Sequence, residues 1–249
     1  SAALVLICLI RARGAFHFSW RLLRLDRYSF VRMAQIGIPA GIQSCMFSLS
    51  NVAIQGAINS YDSVVVAGCS AGASIENFLY VSMNSFHHAS QTFISQNIGA
   101  AKYDRIQKIV SICLVCTLIF GVLQSAAVLC FAPELVRIYN KDPAVVAAGT
   151  LRLWIVASLY VVFGFADVLM GTIRGCGDPT TPVIINLLGT CVLRVIWVWL
   201  LDTSRFGVEY VYLSYPVTWL VVLIALAIYW RYLYHKVMRN SLQRRENAA

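Results

Sequence analysis

The feature that most constrains this chain is a series of long apolar runs separated by short basic stretches. Six such runs fall at about 35–59, 64–97, 109–131, 150–173, 182–201 and 210–231. Each is long enough to supply the roughly 20 residues that an α-helix needs to cross about 30 Å of hydrocarbon. Composition points the same way. Of the 249 residues, 59% are hydrophobic and 12% are charged, against roughly 25% charged in an ordinary soluble domain. A soluble fold with so little charge could not cover its surface. The expected class is therefore an all-α, polytopic membrane protein. Short connections make neighbouring helices antiparallel, and no low-complexity segment or soluble domain interrupts the pattern.

The ends and the charges set the organisation. Residues 1–10 form an apolar run too short to span, followed by a basic stretch. A signal peptide has the opposite order, so 1–10 reads as the end of a truncated transmembrane helix. The expected organisation continues with a basic linker over 11–34, a six-helix lobe over 35–231 and a basic tail over 232–249. Fifteen basic residues fall on one side of the expected membrane, from Arg11–Arg32, Lys102–Lys108, Arg174 and Arg231–Arg245. Four fall on the other, Arg137, Lys141, Arg152 and Arg205, and Arg194 lies within a span. The positive-inside rule makes the basic side, with the C-terminus, cytoplasmic. The net charge of +9 thus reports topology and contact with anionic lipid. Basic residues scattered over separate loops do not form a nucleic-acid site.

The second run is too long for one straight crossing, since 34 residues of helix measure about 50 Å. Gly68 and Gly72 near its outer end are the expected place for a break. Seven of the eight cysteines lie in apolar segments and Cys176 in a loop. Cys113 and Cys116 have CxxC spacing with no partner His or second pair, so they read as small buried hydrophobes; no metal site or disulfide framework is expected.

Polar residues inside the runs are not random. At 100° per residue, Ser44, Ser48, Asn51, Gln55 and Asn59 share an arc of about 80°. On the next span Glu76, Asn77, Tyr80, Asn84, His87, His88, Gln91 and Ser95 share about 120°. Asn186, Thr190 and Arg194 follow one another at i, i+4 and i+8. Lipid cannot satisfy such groups, so three one-sided stripes imply a shared wet cavity. The candidates for its wall are Gln43, Asn51, Gln55, Glu76, Asn84, His87, Gln91 and Arg194. The alternative for any one of them is interhelical hydrogen bonding. His87 and His88 point about 100° apart and read as pore-lining or structural.

Asp167 stands within the fourth run. An ionisable side chain near the centre of a span costs about 2.5–3.5 kcal/mol on insertion scales and is a functional candidate by default. Gly164 and Gly171 lie on its face and suggest room for an ion, a water or a substrate edge. Tyr160 lies on nearly the same line and is the expected second member of a Na⁺ or H⁺ site. The structural alternative is an ion pair between Asp167 and Arg194. The turn Gly175-Cys176-Gly177-Asp178-Pro179 follows no strand and lacks GKS or GKT, so it reads as a helix connection and not as a nucleotide loop.

Four stretches, GIPAGIQ (37–43), SQNIGAAKYDRIQK (95–108), IRGCGDPTTPVI (173–184) and LRVIWVW (193–199), resemble the second half of multidrug and toxic compound extrusion (MATE) transporters. The resemblance runs from about residue 33 to 231. It implies helices seven to twelve of a twelve-helix, two-lobe transporter, with the end of helix six before them and an N-terminal lobe as partner. It implies a non-enzymatic antiporter in a bacterial cytoplasmic membrane that exports drugs or organic metabolites, often cations, by alternating access against Na⁺ or H⁺. No cofactor is implied beyond the coupling ion. Some members carry a coupling acid on the tenth helix, where Asp167 falls. Others carry one on the seventh, where this chain has Gln43, Ser48 and Asn51, or on the first, outside this chain. A lipid-linked precursor flippase of related plan, a membrane-embedded enzyme and a non-transporting remnant are the competing expectations.

Overall fold

The computed structural model describes Cys8, Ile10, Arg11 and residues 26–200 and 207–246. Most of the expected helix end at 1–10 and of the basic stretch at 11–34, together with Arg205, lie outside the described residues. The side chains of Gln43, Arg244 and Arg245 do as well. Two compact units divide the chain, residues 1–40 and 41–249. In the first, Asp26 accepts hydrogen bonds from the Ser29 amide and hydroxyl at 2.9 and 2.8 Å.

In chain order the helices are α1 (Arg27–Asn59), α2 (Ser63–Gly99), α3 (Ile106–Cys130), α4 (Ala132–Tyr139), α5 (Pro143–Ala157) and α6 (Tyr160–Gly175). Then come α7 (Thr180–Asn186), α8 (Leu193–Leu200) and α9 (Val208–Glu246). A 3-10 turn, Tyr103–Arg105, precedes α3, and a π-helical segment, Leu187–Val192, joins α7 to α8. There is no strand among the described residues. Among them, four stretches are long and apolar enough to cross a membrane: Ser63–Gly99, Tyr103–Cys130, Thr180–Leu200 and Val208–Arg239. The pair α5 and α6 makes a fifth if taken as one span. Caps mark the starts as local chemistry requires. Asp62 accepts from the Ser63 amide to open α2, and Asp142 accepts from Ala144 to open α5 with Pro143 in its first turn.

Several expectations are corrected. The expected break at Gly68 and Gly72 does not occur; α2 is continuous over 37 residues. The two glycines serve packing instead: a Cβ on Gly68 would lie 2.7 Å from the Gly149 amide, and one on Gly72 3.0 Å from Arg152 Cδ. The break falls in the fourth run, where α5 and α6 meet at 47°. No proline or glycine marks it. The expected first span is helical throughout but is not among the apolar crossings, because its Ser, Asn and Gln residues dilute it. The last helix runs on through 232–246, the stretch expected as a tail.

Helix α2 packs chiefly on α6 and α5, and α6 also receives α9 and α3. The α2–α6 contact is close because glycine faces backbone. A Cβ on Gly171 would lie 2.4 Å from the His87 carbonyl oxygen, and one on Gly164 2.7 Å from Thr117 Cγ2 and 2.8 Å from Met83 Sδ. The expected open space beside Asp167 is therefore filled at both glycines by neighbouring helices. Buried apolar side chains flank the contact, with Leu79, Met83, Val156, Tyr160 and Trp219 in one cluster and Ile94, Ile106, Val110, Ile173 and Leu226 in another.

The turn after α6 is built by two residues of the Gly-x-Gly-Asp pattern. Gly177 has φ +94°, a conformation that strains any residue with a Cβ. Asp178 Oδ1 accepts from the amides of Thr180 and Thr181 at 3.2 and 3.1 Å, starting α7. Its Oδ2 accepts from the Tyr229 hydroxyl of α9. Partial burial alone would raise the Asp178 carboxyl, but the hydrogen bonds from Tyr229, Thr181 and Thr180 hold it below its ordinary value. A helix connection is what these contacts make, as expected.

Two measurements test this account. Gly171→Ala is expected to lower thermal stability by about 1–3 kcal/mol through overpacking. Gly56→Ala, whose Cβ meets nothing within 4 Å, is expected to cause no loss; equal melting temperatures for the two variants would refute the close contact. Asp178→Ala is expected to lower stability by about 1 kcal/mol through loss of the cap. Because the folded carboxyl titrates below its unfolded value, the ionised group's contribution is present above that unfolded value. It is lost as pH falls through the folded one. The gap between wild type and variant should thus close in acid.

Candidate functional site

Asp167 lies on α6 and is 7% exposed. Its Oδ1 is 3.1 Å from His87 Nδ1, and its Oδ2 accepts from Asn84 Nδ2 at 3.4 Å. The same His87 nitrogen is 2.8 Å from the Asp167 backbone oxygen. Two acceptors face Nδ1, so Nδ1 is the protonated ring nitrogen. His87 is itself 3% exposed, and its ring meets His88 edge-on with centroids 5.2 Å apart. The expected alternative of an Asp167–Arg194 pair does not form; His87 and Asn84 of α2 occupy the carboxylate.

A cavity of 510 Å³ opens beside this pair. Ser44 and Ser48 of α1, Asn84 and His88 of α2, and Asn186 and Thr190 face it together with Asp167. A second cavity, of 700 Å³, lies beyond it and is lined by Asn51, Gln55, Glu76, Arg152, Tyr160 and Arg194, among others. Phe47, Tyr80, Phe163 and Trp219 line both. Three of these rings are near neighbours, with Phe163 5.9 Å from Tyr80 and 5.4 Å from Trp219 between centroids. The polar stripes of the sequence thus line two cavities. Gln91 lines neither, and the side chain of Gln43 lies outside the described residues. Tyr160 lines the second cavity, and its ring packs against Phe163 and Trp219 with centroids 5.3 and 5.2 Å apart.

The second cavity contains an ion pair that sequence reading missed. Arg152, counted above among the basic residues of the outer side, is 3% exposed within α5. Its Nε donates to Glu76 Oε1 at 2.7 Å and its Nη2 to Oε2 at 2.8 Å. Nη1 is directed at Cys69 Sγ, 2.8 Å away. The signal available was the apolar flank: Ala147, Ala148 and Leu153 around Arg152 extend the hydrophobic run outward. Arg194 is 2% exposed. Its Nη2 donates to Thr218 at 3.1 Å, and its guanidinium carbon lies 4.2 Å from the Tyr215 ring centroid. The π-helical segment Leu187–Val192 lies between Asn186 and Arg194 and widens the turn; Asn186 and Thr190 face the first cavity while Arg194 faces the second.

A match to the MatE family covers residues 39–200. The chain belongs to the MATE family. Among relatives of this MATE chain, "Probable multidrug resistance protein YoeA" of Bacillus subtilis (strain 168) is 22% identical over 87% of this chain and 47% of its own length. A "FAD transporter" of Shewanella oneidensis is 25% identical over 80% of this chain and 44% of its own length. A solved structure described as an outward-facing multidrug resistance MATE family transporter of the MOP superfamily superposes with a TM-score of 0.82 at 13% identity. It covers 96% of this chain and 54% of that one. The Vibrio cholerae MATE transporter VcmN, as a mutant, superposes with a TM-score of 0.75 at 19% identity, covering 90% and 50%. The chain spans about half the length of the relatives it matches. It is an integral membrane protein with the MATE helical fold.

The Glu76–Arg152 pair is expected to hold α2 to α5. Glu76→Gln leaves a buried guanidinium without its counter-charge and should destabilise the protein by about 3–5 kcal/mol. The double variant Glu76→Gln/Arg152→Met should recover a large part of that loss. Additive losses in thermal melts of the three proteins would show that the pair is not coupled.

Proposed function

We propose that this chain is the C-terminal lobe of a cation-coupled MATE antiporter that exports drugs or organic metabolites by alternating access. The observation that carries the reading is Asp167. It is a buried acid on a helix of an integral membrane protein, opening onto a polar cavity. A carboxylate in that setting is a natural exchanger of H⁺ or Na⁺. A cation arriving from outside neutralises Asp167 and shifts the balance between outward- and inward-facing states. Coupling requires that ion and substrate each bind those states unequally. One charge crossing 100 mV is worth about 2.3 kcal/mol. That sustains roughly a fifty-fold gradient of an uncharged substrate under ideal coupling.

His87 and Asn84 supply the remaining polar shell of the coupling ion's site. Substrate occupies the second cavity, where aromatic walls and amides match a small organic molecule. The N-terminal lobe of the same protein is the partner across the cleft, and the two lobes rock largely as rigid bodies. The membrane is the bacterial cytoplasmic one, with the basic loops and C-terminus inside.

The test is efflux by the full-length transporter in proteoliposomes, driven separately by a Na⁺ gradient and a pH gradient. Asp167→Asn is expected to abolish the gradient-driven component and to leave the folded protein's melting temperature within a few degrees of wild type. Undiminished gradient-driven efflux by Asp167→Asn would overturn the coupling role.

A further inference from the structure

The second cavity contains a charge that the coupling scheme does not use. Arg194 is one of the largest fully buried side chains, at 2% exposure. A guanidinium has five N–H donors. One is given to Thr218, and Nε is buried with no hydrogen-bond partner. Its guanidinium also lies over the face of Tyr215. Both acids near the cavities are already engaged: Glu76 presents both oxygens to Arg152, and Asp167 faces Asn84 and His87. Among the described residues, then, Arg194 has no carboxylate partner.

We propose that Arg194 is the recognition site for an oxyanion, a carboxylate or phosphate, carried on an aromatic or otherwise flat apolar body. This rests on the transporter reading and names its substrate class. Three observations support it. A buried guanidinium without an acid is strongly unfavourable unless a ligand completes it. Its fork matches the two oxygens of a carboxylate or phosphate. The cavity it lines, at 700 Å³, is within the range of sites for drug-sized ligands. The neutral Glu76–Arg152 pair leaves that cavity with one net positive charge. Tyr160, Phe163, Tyr215 and Trp219 on its wall provide faces for a ring. An organic cation, the frequent substrate implied by family resemblance, would meet Arg194 as a like charge.

The test is equilibrium binding to the purified full chain in nanodiscs, without any ion gradient. The probes are 1-naphthyl phosphate and 1-naphthylmethylamine, which share a ring system and differ in charge. Wild type is expected to bind the phosphate at least tenfold more tightly than the amine. Arg194→Gln should lose at least about tenfold for the phosphate and nothing for the amine. Without probe, its melting temperature should not fall, because an uncompensated charge has been removed. Arg194→Lys keeps the charge but not the fork and should fall between. It serves as the working comparison should the glutamine variant fail to fold.

Two nanodisc compositions distinguish the source of the anion. If added phosphatidylglycerol displaces the naphthyl phosphate relative to phosphatidylcholine alone, a lipid headgroup is the natural occupant. If it does not, the occupant is a soluble organic anion. Equal affinity of wild type for both probes, or unchanged phosphate binding by Arg194→Gln, would overturn the proposal. Those results leave gradient-driven efflux untouched. Conversely, Arg194-dependent binding with no efflux would overturn the transporter reading and leave the anion site standing.

Discussion

The structure depends on the seam between α2 and α6. Side chains of α2 reach across it to the backbone of α6. His87 contacts the Asp167 carbonyl at 2.8 Å, Ser90 donates to the Val168 carbonyl at 3.0 Å, and Ser95 to the Gly175 carbonyl at 3.3 Å. Ser90 also meets the Thr172 hydroxyl at 3.1 Å. Such bonds form only if two helices approach closely, and Gly164, Gly171 and Gly175 permit that approach. In hydrocarbon there is no hydrophobic gain from bringing two apolar helices together. Small residues and interhelical hydrogen bonds must supply the attraction. The seam uses both on the same turns, and so fixes where Asp167, Asn84 and Tyr80 stand.

Three buried ionic groups hang from this frame, and they differ in how completely they are satisfied. Arg152 and Glu76 form a bidentate pair with a third contact to Cys69. That pair is closed and holds α2 to α5. Asp167 is met by one imidazole and one amide and still faces a cavity. Arg194 has a single hydroxyl and one aromatic face. Unmet hydrogen-bonding capacity in a low-dielectric interior is the most direct physical sign of a ligand site. By that measure Arg152 is closed, while Asp167 and Arg194 keep unmet hydrogen-bonding capacity.

Much of this was legible in the sequence, and what was not has identifiable causes. Helix positions follow from hydrophobic run length, which is a one-dimensional property. The polar stripes of α1 and α2 were readable because helical periodicity is fixed at 3.6 residues per turn. Their division between two cavities was not, because it depends on aromatic rings contributed by α1, α2, α6 and α9. Arg194 was readable as an intramembrane base. Its freedom from Asp167 was not, because a π-helical segment changes the register between Asn186 and Arg194, and no residue there announces it. Arg152 was counted with the outer-side charges because it lies near the start of its apolar run. Its pairing with Glu76, 76 positions away, helps to hold it in the interior. Gly164 and Gly171 looked like vacancies because one sequence shows the missing side chain and not the helix that fills its place.

The rings common to the two cavities bear on how the proposed ion and substrate sites would influence one another. Asp167 lines the first cavity and Arg194 the second. Phe47, Tyr80, Phe163 and Trp219 touch both volumes, and three of these rings sit on the helices of the seam or on α9 beside it. A change of charge at Asp167 need not open that seam. His87 Nδ1 is shared between the carboxylate, at 3.1 Å, and the backbone oxygen of the same residue, at 2.8 Å. When the carboxylate is neutralised, the shorter contact to the backbone survives, and with it the register of α2 on α6. The electrostatic state of the first cavity can then cycle while the packing that defines the second is preserved. On the proposed antiporter reading, that separation would let the helices move as bodies while the charge at Asp167 changes.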